Sequence, residues 1–122
     1  MPKILIIEDD NILAKAIKIK LSEAGFDVLI SYDGEDALVK AESFSPDVII
    51  LDLLLPKKSG EDVLAELKAS PKTKAIPVFV CSVKSDPATI KKCQELGIEG
   101  YFIKSSYTLE GIVQKVQKFL NK

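Results

Sequence analysis

Strand-length apolar runs alternate with segments of helical period five times along the 122 residues, and this alternation leaves little choice of architecture. Lys3–Ile7, Phe26–Ile30, Val48–Leu51, Val78–Cys81 and Tyr101–Ile103 read as strands. Several are nearly continuous in apolar residues, as expected for parallel strands covered on both faces. Between them, Leu13, Ile17 and Leu21 share one helical face, and Gly25 follows as a stop. Asp33 precedes a second helix, with Asp36 three positions on and Ala37, Leu38 and Ala41 facing inward. Ser59 and Asp62 stand at capping-box spacing ahead of a third. Asp86-Pro87 couples an N-cap to proline at the first helical position, and that helix ends near Gly97. Thr108 opens the last, where Ile112, Val116 and Leu120 recur every four residues. Strand and helix in strict alternation predict a parallel sheet with helices on both faces. Right-handed crossovers then favour an α/β, doubly wound, five-stranded sheet in the order 2-1-3-4-5, formed by residues 1–122 as one domain.

Composition narrows the function classes. With 17 basic and 18 acidic residues, the chain has no electrostatic footprint for nucleic acid or anionic lipid. Lys57-Lys58 and Lys91-Lys92 are only local pairs. No apolar run reaches the ~18 residues that span a bilayer. The opening, Met1-Pro2-Lys3 and then Ile4–Ile7, lacks the pattern of a secretory signal, so a cytoplasmic protein is expected, with no direct nucleic-acid binding and no membrane. There is no histidine, which removes Ser-His-Asp and Cys-His catalytic sets and the common zinc patterns. It also means the chain is not its own histidine phosphodonor. Cys81 and Cys93 fit buried small hydrophobes.

In an open α/β sheet, ligands bind beyond the carboxyl ends of the strands where strand order reverses. The first strand ends in Glu8-Asp9-Asp10, the third in Asp52, the fourth in Ser82 and the fifth in Lys104. In the expected order these strands are neighbours, ~4.8 Å apart. Crowded carboxylates repel one another, and a hard divalent cation resolves the conflict because magnesium prefers oxygen ligands. Phosphoryl transfer needs a nucleophile, charge neutralisation and positioning. Asp52 suits the nucleophile, Lys104 a point charge for a phosphate oxygen, and the Ser82 hydroxyl a neutral donor. Each has a plain structural reading too. Asp9 or Asp10 would serve as an N-cap, Asp52 and Ser82 as strand ends, and Lys104 as a surface cation. Their coincidence at adjacent strand ends carries the inference.

Those motifs together resemble the response-regulator receiver domain (CheY-like) of two-component signalling, with its flavodoxin-like fold, from Lys3 to about Leu120. Ile4–Asp10 resembles its first strand and acid pair, Asp47–Pro56 with Gly60 its phosphoacceptor segment, Pro77–Ser82 its fourth strand, and Gly97 with Tyr101–Lys104 its fifth. The resemblance implies a signalling switch. Asp52 is the phosphoacceptor, Ser82 and Lys104 assist, Ser82 and Tyr101 are the switch pair, and Glu8, Asp9, Asp52 and the Leu54 carbonyl hold Mg2+ (or Mn2+). It implies a sensor histidine kinase or phosphotransfer protein as donor, and a downstream target on the surface formed by the fourth helix, fifth strand and fifth helix. Catalysis would be confined to the domain's own phosphorylation and dephosphorylation. It marks the positions two after Asp52 and two after Ser82 as tuning hydrolysis. Here they are Leu54 and Lys84, neither a good water-positioning base, so slow phosphate loss is expected.

The chain departs from the family pattern at Ser105 in place of proline, at Val83 in place of a small residue, and at Lys57-Lys58-Ser59 after Pro56. A cis bond before serine costs roughly 2.5–4 kcal/mol, so Lys104–Ser105 is expected to be trans. Three other readings are weaker. A receiver-like interaction module independent of phosphorylation would have no need of Glu8, Asp9, Asp52, Ser82 and Lys104. An Asp-dependent phosphohydrolase would carry a second aspartate where Leu54 stands. A flavin-binding domain would need a phosphate loop, not acids, after the first strand.

Overall fold

The computed structural model describes residues 1–121; Lys122, the end of the expected 1–122 unit, lies outside them. Its elements are β1 (Lys3–Ile7), α1 (Asn11–Glu23), β2 (Asp27–Ser31), α2 (Gly34–Phe44), β3 (Val48–Leu51), α3 (Gly60–Ala69), β4 (Val78–Ser82), α4 (Pro87–Leu96), β5 (Gly100–Ile103) and α5 (Leu109–Leu120). The five strands are parallel in the order β2-β1-β3-β4-β5, as expected.

Alternation along β1 divides the interior in two. Ile4 and Ile6 enter a core with α1 and α5, through Ala14, Ile17, Leu21, Ile112, Val113 and Val116. Leu5 and Ile7 enter the opposite core with α2, α3 and α4, through Ala37, Ala41, Val63, Leu67 and Cys93. Cys81 belongs to the first core and Cys93 to the second, so the sheet separates two buried thiols.

The helix starts follow local chemistry. Asp33 accepts from Asp36 N–H at 2.9 Å, Ser59 from Asp62 N–H at 3.2 Å, Asp86 from Thr89 N–H at 3.0 Å and Thr108 from Gly111 N–H at 3.0 Å. Each satisfies a donor the helix cannot. β2 begins one residue later than the sequence pattern suggests. Phe26 is buried, but its N–H donates to Leu21 O at 3.1 Å and closes the end of α1, so pairing with β1 starts at Asp27. Gly25 precedes it at φ +96°, a conformation open to glycine.

Candidate functional site

The sheet register brings the chemistry together. Backbone pairing continues one residue past the ends of β1, β3 and β5: Glu8 N–H donates to Ser31 O at 2.9 Å, Asp52 N–H to Ile7 O at 2.9 Å, and Lys104 N–H to Ser82 O at 2.8 Å. Glu8, Asp52 and Lys104 thus start from rigid strands rather than free loops, which suits a site needing fixed geometry.

Their side chains meet. Lys104 Nζ lies 2.8 Å from Glu8 Oε1 and 3.1 Å from Asp52 Oδ2. Both carboxyl groups are buried. One oxygen from each of Glu8, Asp9 and Asp52 lies within 4.8 Å of the others. Asp9 is exposed, and the neighbouring Asp10 is the N-cap of α1, accepting from Ile12 and Leu13 N–H at 3.1 Å. Local backbone geometry therefore divides two adjacent aspartates, one for the helix and one for the cluster. Leu54 N–H donates to Asp52 Oδ1 at 3.2 Å, which holds that peptide against the carboxylate.

One ammonium does not balance this cluster. Burial pushes the Glu8 carboxyl up to about 7; Lys104 opposes the shift and the Asp52 charge adds to it. Burial works against the Lys104 ammonium, but Glu8 and Asp52 outweigh it and its pKa is raised. Three converging hard oxygen donors with surplus negative charge fit a divalent cation of the magnesium class. A cation there would favour the ionised form of Glu8.

Ser82 is fully buried at the end of β4, and its Oγ accepts from Lys84 N–H at 3.3 Å. Tyr101 is half-buried and donates from its hydroxyl to Lys84 O at 2.8 Å. Burial pushes the Tyr101 phenol up to about 12, which keeps it a hydroxyl donor at neutral pH. Leu54 and Val83 are largely exposed. No peptide bond among the described residues is cis; Lys104–Ser105 is trans, and Ser106 N–H donates to Ile103 O at 2.9 Å to turn the chain. Lys104 reaches both carboxylates without a proline after it.

The Lys57-Lys58-Ser59 departure has its own anchors. Lys57 takes φ +71°, costly for a residue with a Cβ, and lies 3.6 Å from Asp33. Lys58 pairs with Glu66 at 2.8 Å. Sequence reading missed one more ion pair, Lys84 Nζ with Glu61 Oε2 at 3.3 Å, because no local pattern signals a pairing across 23 positions.

The profile of the response regulator receiver domain matches residues 4–117. The chain belongs to the response regulator receiver domain family. Members are phosphorylation-dependent switches of two-component signalling, bind a divalent metal, and interact with histidine kinases or phosphotransfer proteins and with downstream targets. Response regulator ArlR of Staphylococcus saprophyticus is 32% identical over all of this chain and 54% of its own length. The chain thus spans about half the length of that relative. Among solved structures, the Mn(2+)-bound form of response regulator Rcp1 superposes with a TM-score of 0.87 at 30% identity, covering 98% of this chain and 94% of that one. The phosphorylated cyanobacterial phytochrome response regulator RcpA gives 0.81 at 32% identity, covering 97% and 90%. Among the described residues, no helix is long and apolar enough to cross a membrane.

Proposed function

We propose that residues 1–122 form one cytoplasmic receiver unit in which Asp52 accepts a phosphoryl group from a sensor histidine kinase or a phosphotransfer protein. The observation that carries this reading is the buried Asp52 carboxylate, within 3.1 Å of the Lys104 ammonium and clustered with Glu8 and Asp9 at the carboxyl end of the sheet. An Asp52 oxygen bonds to phosphorus as the donor's P–N bond breaks, and the donor nitrogen keeps the electron pair. Lys104 offers its ammonium to a phosphoryl oxygen, and buried Ser82 offers its hydroxyl to another. Glu8, Asp9, Asp52 and the Leu54 carbonyl would hold Mg2+ (or Mn2+), which neutralises phosphoryl charge when bound. Movement of Ser82 toward the modified carboxylate would bias Tyr101. A downstream target would read the change on the surface of α4, β5 and α5. Incubation with acetyl phosphate and magnesium should add a single alkali-labile phosphoryl group, read by intact mass; none from either acetyl phosphate or a cognate kinase would remove this reading.

The cation supports a separate expectation. Magnesium bound only by the folded state should raise the melting temperature with concentration. Asp9→Ala should abolish that rise while leaving the metal-free melting temperature nearly unchanged, since Asp9 is exposed and Asp10 provides the cap. Equal magnesium responses in the two proteins would place the metal elsewhere.

Hydrolysis should be slow. Leu54 is exposed and apolar, and the Lys84 ammonium is held by Glu61, so neither is free to orient water as a base. Decay of the phosphoprotein, followed by mass beside the Vibrio cholerae chemotaxis regulator CheY4, should be the slower of the two. A shorter lifetime for this chain would contradict the assignment.

A further inference from the structure

Lys84 lies in the loop between β4 and α4, and all of its polar groups are committed. Its N–H donates to Ser82 Oγ at 3.3 Å, its carbonyl accepts from the Tyr101 hydroxyl at 2.8 Å, and its ammonium lies 3.3 Å from both oxygens of Glu61. Glu61 stands in the first turn of α3, where an acid also faces the positive end of the helix. Its side chain is only 20% exposed and that of Lys84 33%, so the pair is sheltered more than an ordinary surface contact. The nearest other acid in sequence, Asp86, feels the Lys84 charge but makes no ion pair with it, and its Oδ2 caps α4, accepting from Thr89 N–H at 3.0 Å and Thr89 Oγ1 at 2.6 Å. One ion pair to α3 therefore fixes the residue that touches both Ser82 and Tyr101.

We propose that Glu61 is a positioning residue for the Asp52 reaction: its ion pair with Lys84 holds the β4–α4 loop in the arrangement that restrains Ser82 and Tyr101 in the unmodified protein. The proposal rests on the reading of Asp52 as acceptor. Modification of Asp52 draws the Ser82 hydroxyl toward a new anion, so the Lys84 backbone must give way. While the Glu61 pair is intact, moving Lys84 means breaking or dragging a two-oxygen contact anchored to α3. With the pair absent, the loop yields more readily, and the modified state is reached faster. A charge pair of this kind is also weakened by salt.

The test uses the full chain, with parent, Glu61→Gln, Lys84→Gln and the double variant. The first readout is the rate of Asp52 phosphorylation by acetyl phosphate with magnesium. Each single variant should be faster by about 3- to 10-fold, and the double variant no faster than the singles, since all three remove one interaction. Raising salt should accelerate the parent relative to the variants, whereas a merely structural contact would leave that ratio unchanged. The second readout needs no phosphorylation: the Tyr101 ring resonances, assigned with Tyr101→Phe, should shift in Glu61→Gln. Rates within twofold of the parent, or additive effects in the double variant, overturn the proposal. If the parent itself takes no phosphoryl group from acetyl phosphate or from a cognate kinase, the acceptor reading fails and the second readout decides the loop. Unmoved Tyr101 resonances then overturn the restraint as well, and shifted ones support it.

Discussion

Asp52→Asn should abolish incorporation of alkali-labile phosphate while the protein stays folded. The change is nearly isosteric, so the buried site keeps its shape. Its amide oxygen can still accept the Leu54 N–H that Asp52 Oδ1 accepts at 3.2 Å. Lys104 loses one anionic partner but keeps Glu8 Oε1 at 2.8 Å, so its ammonium is not left unpaired. Crowding falls as well, because the Asp52 charge is one of the causes that raise Glu8. Without metal the variant should therefore be at least as stable as the parent. On the proposed reading it lacks the nucleophile: a neutral amide does not form the acyl-phosphate bond. Intact mass after incubation with acetyl phosphate and magnesium should show complete loss of the added phosphoryl group. Ser82→Ala should still be modified at Asp52, because the proposed role of Ser82 is only that of a donor. Modification that survives in Asp52→Asn, or that disappears in Ser82→Ala and maps to Ser82, would move the acceptor. Collapse of the Asp52→Asn fold would show instead that the carboxylate is chiefly a structural partner of Lys104.

Much of this site was legible because the relevant signals are local. Caps such as Asp33, Ser59, Asp86 and Thr108 act on donors three residues away, so their spacing is visible in the sequence. The nearly unbroken apolar runs of β1, β3 and β4 declare strands covered on both sides, and strand order then brings Glu8, Asp52, Ser82 and Lys104 to one end. Other features depend on contacts that no window contains. Phe26 looks like the start of β2 because it is apolar and buried, yet its N–H is used to close α1. Asp9 and Asp10 are chemically identical, and only the path of the chain into α1 sends one to the cap and the other to the cluster. Leu53, Leu54 and Leu55 are alike in sequence, which does not say which of them turns inward. The backbone turns after Asp52, however, burying Leu53 at 1% exposure and leaving Leu54 at 46%. The Lys84–Glu61 pair joins two charged residues of ordinary surface type, and nothing in either segment singles out the other.

Gly60→Ala should be strongly destabilising, and its cause is again a nonlocal crossing. Gly60 opens α3 directly against the turn that follows β3, and its N–H donates to Leu53 O at 2.8 Å. A Cβ at Gly60 would overlap the Asp52 carbonyl oxygen and Leu53 Cα and come within 3.0 Å of the Asp52 carbonyl carbon. All three atoms belong to backbone, so no side chain can swing aside. The start of α3 must move off the turn, or the turn must move with Asp52. Overpacking of this kind costs ~1–3 kcal/mol. Loss of the hydrogen bond to Leu53 adds ~1 kcal/mol. A destabilisation of about 3 kcal/mol corresponds to roughly a 10 °C fall in melting temperature for a domain of this size. Gly111→Ala is the matched control, since its Cβ would meet nothing closer than Thr108 Oγ1 at 3.3 Å, on a helix where alanine is the better former. It should change the melting temperature by no more than a few degrees. The carbonyl and Cα that Gly60→Ala displaces belong to Asp52 and the residue beside it, so the magnesium-dependent rise in melting temperature should also shrink. Gly111→Ala, whose Cβ would meet only Thr108 and Tyr107 and none of Glu8, Asp9 and Asp52, should keep the full rise. Similar losses in the two variants would mean that the turn after β3 has room to spare, and that Asp52 is not held by the close approach of α3.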